Sequence, residues 1–354
     1  MSLSREAENA QGVEISDPRP VYAALLLLII VGGLIAYKAT ASLAVIEKVQ
    51  ATGLLKPRFD LIRADAPSSW VSAFNRTLSY FAAVWPALLF GVLIGGAVRA
   101  FVSPRWLAGL FGGGRVRPQL VAGLAGAPLM LCSCCVAPVF TSVYERSSRL
   151  APSLAFMLAA PSLNPAALIL TFMLFGGRVG AVRLLMSGLG VLAIGLVAEH
   201  FAGGRKPVCE VKDNNGSGPN RTSAATAFLA SCLKIAAQTV PLILAGVVIS
   251  MLIARWLPVS GLGAATQGVA AVMITALISV PLAMPTFFEI PLALMLIASG
   301  MPAGAAVALL IAGPTTNLPS LLTIGRAAGW RAPALVAVMV WALAVCGGLL
   351  AGLL

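Results

Sequence analysis

Residues 159–165 read AAPSLNP and residues 312–319 read AGPTTNLP, and each stretch interrupts a long apolar run. Asparagine is a preferred residue at the start of a helix, and proline is favoured in the first helical turn. The pattern therefore predicts that each apolar segment stops near its first proline and restarts after its asparagine. These residues are Pro161 and Asn164 in the first stretch, and Pro314 and Asn317 in the second.

The position of the first interruption within its apolar run indicates its depth in a membrane. Residues 150–160 and 165–174, on either side of it, are each about half a bilayer long at ~1.5 Å per residue. We therefore expect the break near the bilayer midplane, where freed backbone groups must lie inside protein or along a watery cavity. Broken helices at matching positions of two repeats point to the substrate site of a transporter. The alternative for each break is a proline kink packed against a neighbouring helix.

The composition is that of an integral membrane protein. Of the 354 residues, 59% are hydrophobic and 10% are charged, and the mean hydropathy is +0.95. The apolar runs are too long and too continuous for barrel strands, so the predicted fold is all-α with about nine transmembrane segments. The net charge of +12 comes from residues in short loops, where anionic headgroups are the usual partner. We therefore expect a multi-pass protein of the cytoplasmic (inner) membrane that contacts the lipid bilayer and no nucleic acid.

The chain also predicts an internal repeat. At an offset of 153 residues Pro138 matches Pro291, and the two proline–asparagine stretches match without a gap. Acidic residues precede the first apolar run, which favours an anchor helix over a cleaved signal peptide, the alternative. The predicted division is an N-terminal tail, anchor helix (21–38) and connecting loop over 1–72, permease repeat 1 over 73–200, a polar linker over 201–227 and permease repeat 2 over 228–354, with four segments in each repeat.

Three cysteines cluster at a second predicted interruption. Residues 131–138 read LCSCCVAP, and the matching residues 284–291 read MPTFFEIP, so we expect both segments to be broken and to face each other across the repeat axis. Clustered thiolates select soft ions such as Cu(I) or trivalent-arsenic-like centres, whereas structural zinc usually takes four ligands. The only histidine, His200, lies at the end of a span. The alternatives are simple helix packing and a vicinal disulfide, for which adjacent residues have poor geometry.

One carboxylate lies deep in apolar sequence. Between Trp256 and Gly325 the only charged residue is Glu289. An ionisable residue inside a membrane is by default a functional hypothesis, so we expect Glu289 to exchange a proton against the substrate. The alternative is a carboxyl group that is satisfied by neighbouring broken backbone.

The sequence resembles the predicted permease family that includes the ArsP-type organoarsenical efflux permeases. The resemblance is carried by LCSCCVAP and LAAPSLNPAALIL in the first half, and by PTFFEIPLAL and LLIAGPTTNLPSLL in the second, and covers about residues 74–354. Such permeases commonly show C-S-C-G where this chain has a third thiol at Cys135. The resemblance implies a permease, and in the arsenical branch a role for cysteines, but the family also holds permeases of other cargo.

Together these features predict a membrane permease, not an enzyme, for efflux of a thiol-reactive metalloid or soft metal species such as a trivalent or methylated arsenical. No GxxxxGK[ST] loop occurs, so we expect an ion gradient to drive it and no cofactor to be bound. A homo-oligomer is left open. The predicted substrate-binding residues are Cys132, Cys134 and Cys135, which are also the metal ligands, with Ser133, Pro161, Ser162, Asn164, Pro314, Thr315, Thr316 and Asn317, and the predicted proton-coupling residue is Glu289.

Two further functions remain open from the sequence. An anion or small-solute permease would use the positive ends of the restarting half-helices and leave the thiols incidental. A membrane thiol oxidoreductase would need a second, exposed cysteine pair, and only Cys209 lies in a loop.

Overall fold

A computed structural model describes residues 19–52, 70–202, 224–256, 268–285 and 287–353. These residues form 13 α-helices, one 3-10 turn and no strand, which confirms the predicted all-α class. The first half holds α1 (Arg19–Thr52), α2 (Trp70–Phe101), α3 (Pro104–Leu110), α4 (Arg117–Gly126), the 3-10 turn (Ala127–Leu129), α5 (Ala137–Ser147), α6 (Leu150–Ser162) and α7 (Pro165–Ala202). The second half holds α8 (Ala224–Trp256), α9 (Val269–Ser279), α10 (Glu289–Ala298), α11 (Ala303–Thr315), α12 (Leu318–Ala328) and α13 (Arg331–Leu353).

Five of the described helices are long and apolar enough to cross a membrane, and α11 with α12 makes a sixth candidate if the pair, bent by 46°, is one span. This count is lower than the nine segments predicted from apolar runs. The difference arises because prolines and glycines divide several of those runs into short helices, none of which can cross alone. The five long candidates are Ala24–Thr52, Thr77–Phe101, Pro165–Ala202, Ala225–Ile253 and Arg331–Leu353.

The helices on either side of the two proline–asparagine stretches begin at corresponding positions of the two halves. Helices α6 and α11 begin and end 153 residues apart, and so do the starts of α7 and α12. Further on, Gly176 inside α7 and Gly329 after α12 have φ angles of 84° and 87°. Left-handed backbone suits glycine, so both helical paths turn at the same place. The division into domains stays a prediction, and most of the linker, residues 203–223, lies outside the described residues.

Helix α1 is longer than the predicted anchor of residues 21–38, because no proline or glycine follows until Gly53. It packs against α2 and the 3-10 turn. Leu34 is fully buried there, whereas most of the helix is exposed. Helix α1 therefore covers the thiol-bearing segment on one side.

The core lies around α6 and α11. Nearly all residues of both helices are buried, as expected for helices that are apolar all round. Helix α6 packs against α4 and α7, and α11 packs against α9 and α13. The interrupted helices are thus enclosed by other helices of the same chain.

Candidate functional site

The thiol-bearing segment is interrupted as predicted. Between the 3-10 turn and α5, residues 130–136 are not helical, and Met130 has a left-handed φ of 51°. We call residues 130–136 the thiol break. Within it the backbone N–H groups of Cys135 and Val136 donate to the Cys132 carbonyl at 3.0 and 3.1 Å. This tight turn brings three cysteines that are neighbours in sequence into mutual contact.

The three sulfur atoms form a compact triangle. The Cys132 Sγ lies 2.8 Å from the Cys135 Sγ and 3.2 Å from the Cys134 Sγ, and the third side is 3.9 Å. The three residues are 4%, 1% and 0% exposed. Among the described residues this is the one group of three metal-ligating side chains with mutually close ligand atoms.

The dimensions of the sulfur triangle fit a soft ion with three ligands. Its sides give a circumradius of ~2.0 Å, so an atom at the usual ~2.3 Å metal–thiolate distance would lie ~1.2 Å out of the sulfur plane. Such a pyramidal arrangement suits a trivalent metalloid with a lone pair. Soft thiolate ligands select for such ions over hard cations.

Helix α2 completes the surroundings of the thiols. The Tyr80 hydroxyl lies 3.2 Å from the Cys134 Sγ, and the Cys135 Sγ lies 3.8 Å from the Val84 carbonyl oxygen. A Cβ atom at Gly91 would clash with the Cys135 carbonyl oxygen, so glycine is needed for this close approach. Sequence reasoning missed Tyr80, because no local pattern marks a residue that meets its partner 54 positions away.

The two predicted helix caps are present. The Asn317 Oδ1 accepts from the Ser320 N–H at 3.0 Å, and the Ser320 hydroxyl accepts from the Asn317 N–H at 3.0 Å, a reciprocal capping box. The Asn164 Oδ1 accepts from the Ala166 N–H at 3.1 Å. Both asparagines are buried, yet the Nδ2 group of each has no hydrogen-bond partner in the described structure. Two buried amide donors at matching positions thus lack a partner among the described residues.

A small cavity lies between α6, α7, α11 and α13. The predicted site residues Ser162 and Thr315 both line it, from the ends of α6 and α11. Ser187 of α7, which sequence reasoning did not identify, adds a buried hydroxyl without a hydrogen-bond partner. Four pairs of lining residues are 153 positions apart: Leu158 and Ile311, Ser162 and Thr315, Ser187 and Val340, and Gly190 and Leu343.

Glu289 is not the lone charge that the sequence suggested. Its Oε1 atom accepts from the Arg183 Nη2 atom at 3.1 Å, and both side chains are buried. The expectation that arginines lie in loops is wrong for Arg183, which sits on α7 and is 0% exposed. Among the described residues, Glu289 thus has a cation from the other half of the chain as its partner. Residues 280–285 and 287–288, which precede it, are not helical, and we call them the carboxylate break.

The remaining predicted residues are distributed among these sites. Pro161 and Pro314 lie in the last turns of α6 and α11, and Ser133 lies in the thiol break. The buried Thr316 hydroxyl has no hydrogen-bond partner within the described part of the chain. The thiols contact α2 and Glu289 contacts α7, so the two breaks have different neighbours. Of the other cysteines, Cys232 packs against Gly96, Cys346 is exposed, and Cys209 lies outside the described residues.

Comparison with known proteins places this arrangement in a family. A family model described as "Predicted permease", of the ArsP type, matches residues 69–353. The chain belongs to this permease family. The match confirms the resemblance seen in the sequence, and with the long apolar helices it makes the chain a multi-pass membrane permease, a class that moves small molecules.

Named relatives of this permease come from distant organisms. The UPF0718 protein YraQ of Escherichia coli is 29% identical over 289 residues, which cover 78% of this chain and 81% of that protein. The UPF0718 protein MJ0584 of Methanocaldococcus jannaschii is 23% identical over 308 residues, covering 69% and 84%. The UPF0718 protein YcgR of Bacillus subtilis is 31% identical over 113 residues, covering 32% and 38%. No solved structure matches this permease.

Proposed function

We propose that this permease exports a thiol-reactive metalloid or soft metal species, such as a trivalent or methylated arsenical, and that the three thiols bind it. The sulfur triangle carries the proposal: three buried Sγ atoms lie within 4.8 Å of one another at a helix break. Buried thiols that serve packing alone do not need to converge. In this role the metalloid is cargo, bound and released in each cycle.

The permease crosses the membrane nine times in this proposal. Helix α4 packs chiefly against α6, and α5 packs chiefly against α2, so the two are arranged end to end and not as a hairpin. Each such pair makes one interrupted crossing, as α11 and α12 do. Helix α1 and four crossings in each half give nine crossings. Because each half has an even number of crossings, both halves have the same orientation in the membrane, and the repeat axis lies along the membrane normal.

The cavity between the halves supports a path for the cargo along that axis. Its lining pairs related residues of the two halves, and none of its side chains is charged. The hydroxyl groups of Ser162, Ser187 and Thr315 are its polar groups. Alternating access, in which the two halves rock about a common site, would let a cargo pass between these related helices.

The test is transport by the purified permease in proteoliposomes, with arsenite, a monomethylated trivalent arsenical, antimonite and Cu(I) as probes. We expect Cys134→Ser and a triple Cys→Ser variant of the trio to lose binding and transport of at least one probe. Cys232→Ser, which removes a buried thiol outside the trio, is the matched control. X-ray absorption should show three sulfur neighbours at ~2.3 Å in the permease loaded with arsenite, and two in the permease loaded with the monomethylated arsenical, which keeps its As–C bond. Unchanged transport by the triple variant would refute the thiol-bound cargo.

A second candidate is an anion or small-solute permease, which is favoured by the unpartnered Nδ2 groups of Asn164 and Asn317. These donors lie at the starts of α7 and α12, and the positive ends of helices attract anions. Replacement of both asparagines by serine keeps a capping oxygen at each helix start but removes the amide donor. Uptake of a labelled oxyanion that survives alkylation of the thiols, and that falls in the double serine variant, would favour this candidate. The burial of the three thiols gives no support to the thiol oxidoreductase alternative.

A further inference from the structure

Arg183 joins three segments of the permease. Its Nη1 atom donates to the Thr171 hydroxyl at 2.6 Å, and its Nη2 atom donates to the Glu289 carboxylate at 3.1 Å. Arg183 is 0% exposed and Glu289 is 2% exposed. The guanidinium group therefore makes charge-assisted hydrogen bonds that are buried from solvent, where such bonds are strong.

The three residues lie on parts of the molecule that a conformational change would separate. Thr171 precedes the non-helical Gly176 of α7, Arg183 follows it, and Glu289 opens α10 in the other half of the chain. No atom lies within 4 Å of the place where a Cβ atom of Gly176 would be, and the contact of Phe172 with Gly180 joins the two arms beside the kink. The Arg183 side chain thus ties together both arms of the kinked α7 and the second half.

A proton changes the stability of this arrangement. With Glu289 ionised the pair is neutral overall, and each charge compensates the other. When a proton adds to the Glu289 carboxylate, the pair acquires a net charge of +1, because arginine does not deprotonate in proteins. An uncompensated buried guanidinium is strongly unfavourable, so Arg183 must move to water or to an anion.

We propose that Arg183, Glu289 and Thr171 form a proton-operated clamp, in which protonation of Glu289 releases Arg183 and frees the kink at Gly176. The clamp rests on the proposed transport function, because it assigns to the permease the residues that would couple the ion gradient to opening. Arg183 is a positioning residue in this scheme, since it acts through Glu289 and not on the cargo. When the proton leaves on the other side, the pair re-forms and the permease closes.

Few other groups compete for that proton. Helix α10 packs chiefly against α11, which carries no ionisable residue, and it contacts α7, from which Arg183 faces Glu289. The other charged residues of α7 are Arg178, Glu199 and His200, of which Glu199 pairs with Arg149 at the far end of the helix. Glu289 is therefore the acidic group placed to control the clamp.

The test is hydrogen–deuterium exchange of the whole permease in lipid nanodiscs, corrected for the intrinsic effect of pH on exchange. Exchange of peptides that cover residues 165–190 should be slow at neutral pH in the wild type and faster at acidic pH. Glu289→Gln, which mimics the protonated carboxyl group, should exchange about 10-fold or more faster at neutral pH, because the open form changes from a minor to the major state. Thiol-break peptides should be unaffected in that variant.

Two variants control for simple loss of a buried charge. Glu145→Gln breaks the buried Arg99–Glu145 ion pair, of 2.8 Å, and should leave residues 165–190 unchanged. The double variant Arg183→Leu/Glu289→Leu removes the clamp together with both charges, so its exchange should no longer depend on pH. Acceleration by Glu145→Gln equal to that by Glu289→Gln, or no pH effect on the wild type, would overturn the clamp. The measurement needs no cargo, so its outcome is separate from whether the permease carries a metalloid.

Discussion

The thiol break and the carboxylate break occupy matching positions in the two halves, yet they differ in chemistry. The first gathers three soft sulfur ligands that contact α2 of their own half. The second leads into Glu289, a hard charge that pairs with Arg183 of the opposite half. The thiol break is thus suited to hold a cargo, and the carboxylate break is suited to hold the two halves together. The two breaks should therefore respond differently to the same kind of substitution.

The largest effect should come from the carboxylate side. Arg183→Ala leaves Glu289 buried without a counter-charge, and we expect a loss of ~3–5 kcal/mol in the free energy of unfolding. Unfolding of the permease in mixed detergent micelles measures it. Because the thiols contact α2 whereas Arg183 lies on α7, the fraction that remains folded should bind a trivalent arsenical as the wild type does. Weakened binding by that fraction would mean that the two breaks are not independent.

Gly91 on α2 and Gly246 on α8, which are 155 positions apart, allow the two halves to be compared directly. A Cβ atom at Gly91 would clash with the Cys135 carbonyl oxygen, whereas one at Gly246 would lie 2.7 Å from the Pro319 Cα atom. Each Gly→Ala change overpacks a helix contact, which costs ~1–3 kcal/mol. We expect Gly91→Ala to lower the affinity of the thiols for a trivalent arsenical, and Gly246→Ala to lower stability alone.

Titration of the purified variants with the arsenical, followed by thermal unfolding, separates these outcomes. Gly32→Ala serves as the control, because nothing lies within 4 Å of its added Cβ atom. Equal loss of affinity in the Gly91 and Gly246 variants would show that helix packing in general, not the thiol break, controls binding.

The sequence predicted those features of the permease that depend on nearby residues. Asn317 and Ser320 are three positions apart, so the capping box follows from local rules of helix formation. The prolines that flank the thiol break likewise predicted an interruption there. The fold class followed from composition, since long apolar runs in lipid must be helical.

The features that were missed depend on distant partners. Arg183 and Glu289 are 106 positions apart, and each alone is read as an isolated charge in an apolar run. Ser187 joins the cavity only because α6, α7, α11 and α13 meet there. Tertiary contacts, not local pattern, decide both features.

The smallest effect should come from the edge of the thiol break. Tyr80→Phe removes only the hydroxyl 3.2 Å from the Cys134 Sγ and keeps the buried ring. A hydrogen bond of this kind contributes ~0.5–1.5 kcal/mol, which corresponds to a ~2- to 10-fold weaker affinity for a trivalent arsenical. Tyr37→Phe, on the exposed face of α1, should change nothing. A Tyr80→Phe variant that binds more tightly would mean that the hydroxyl competes with the cargo for the thiol, and would make Tyr80 a group that the cargo must displace.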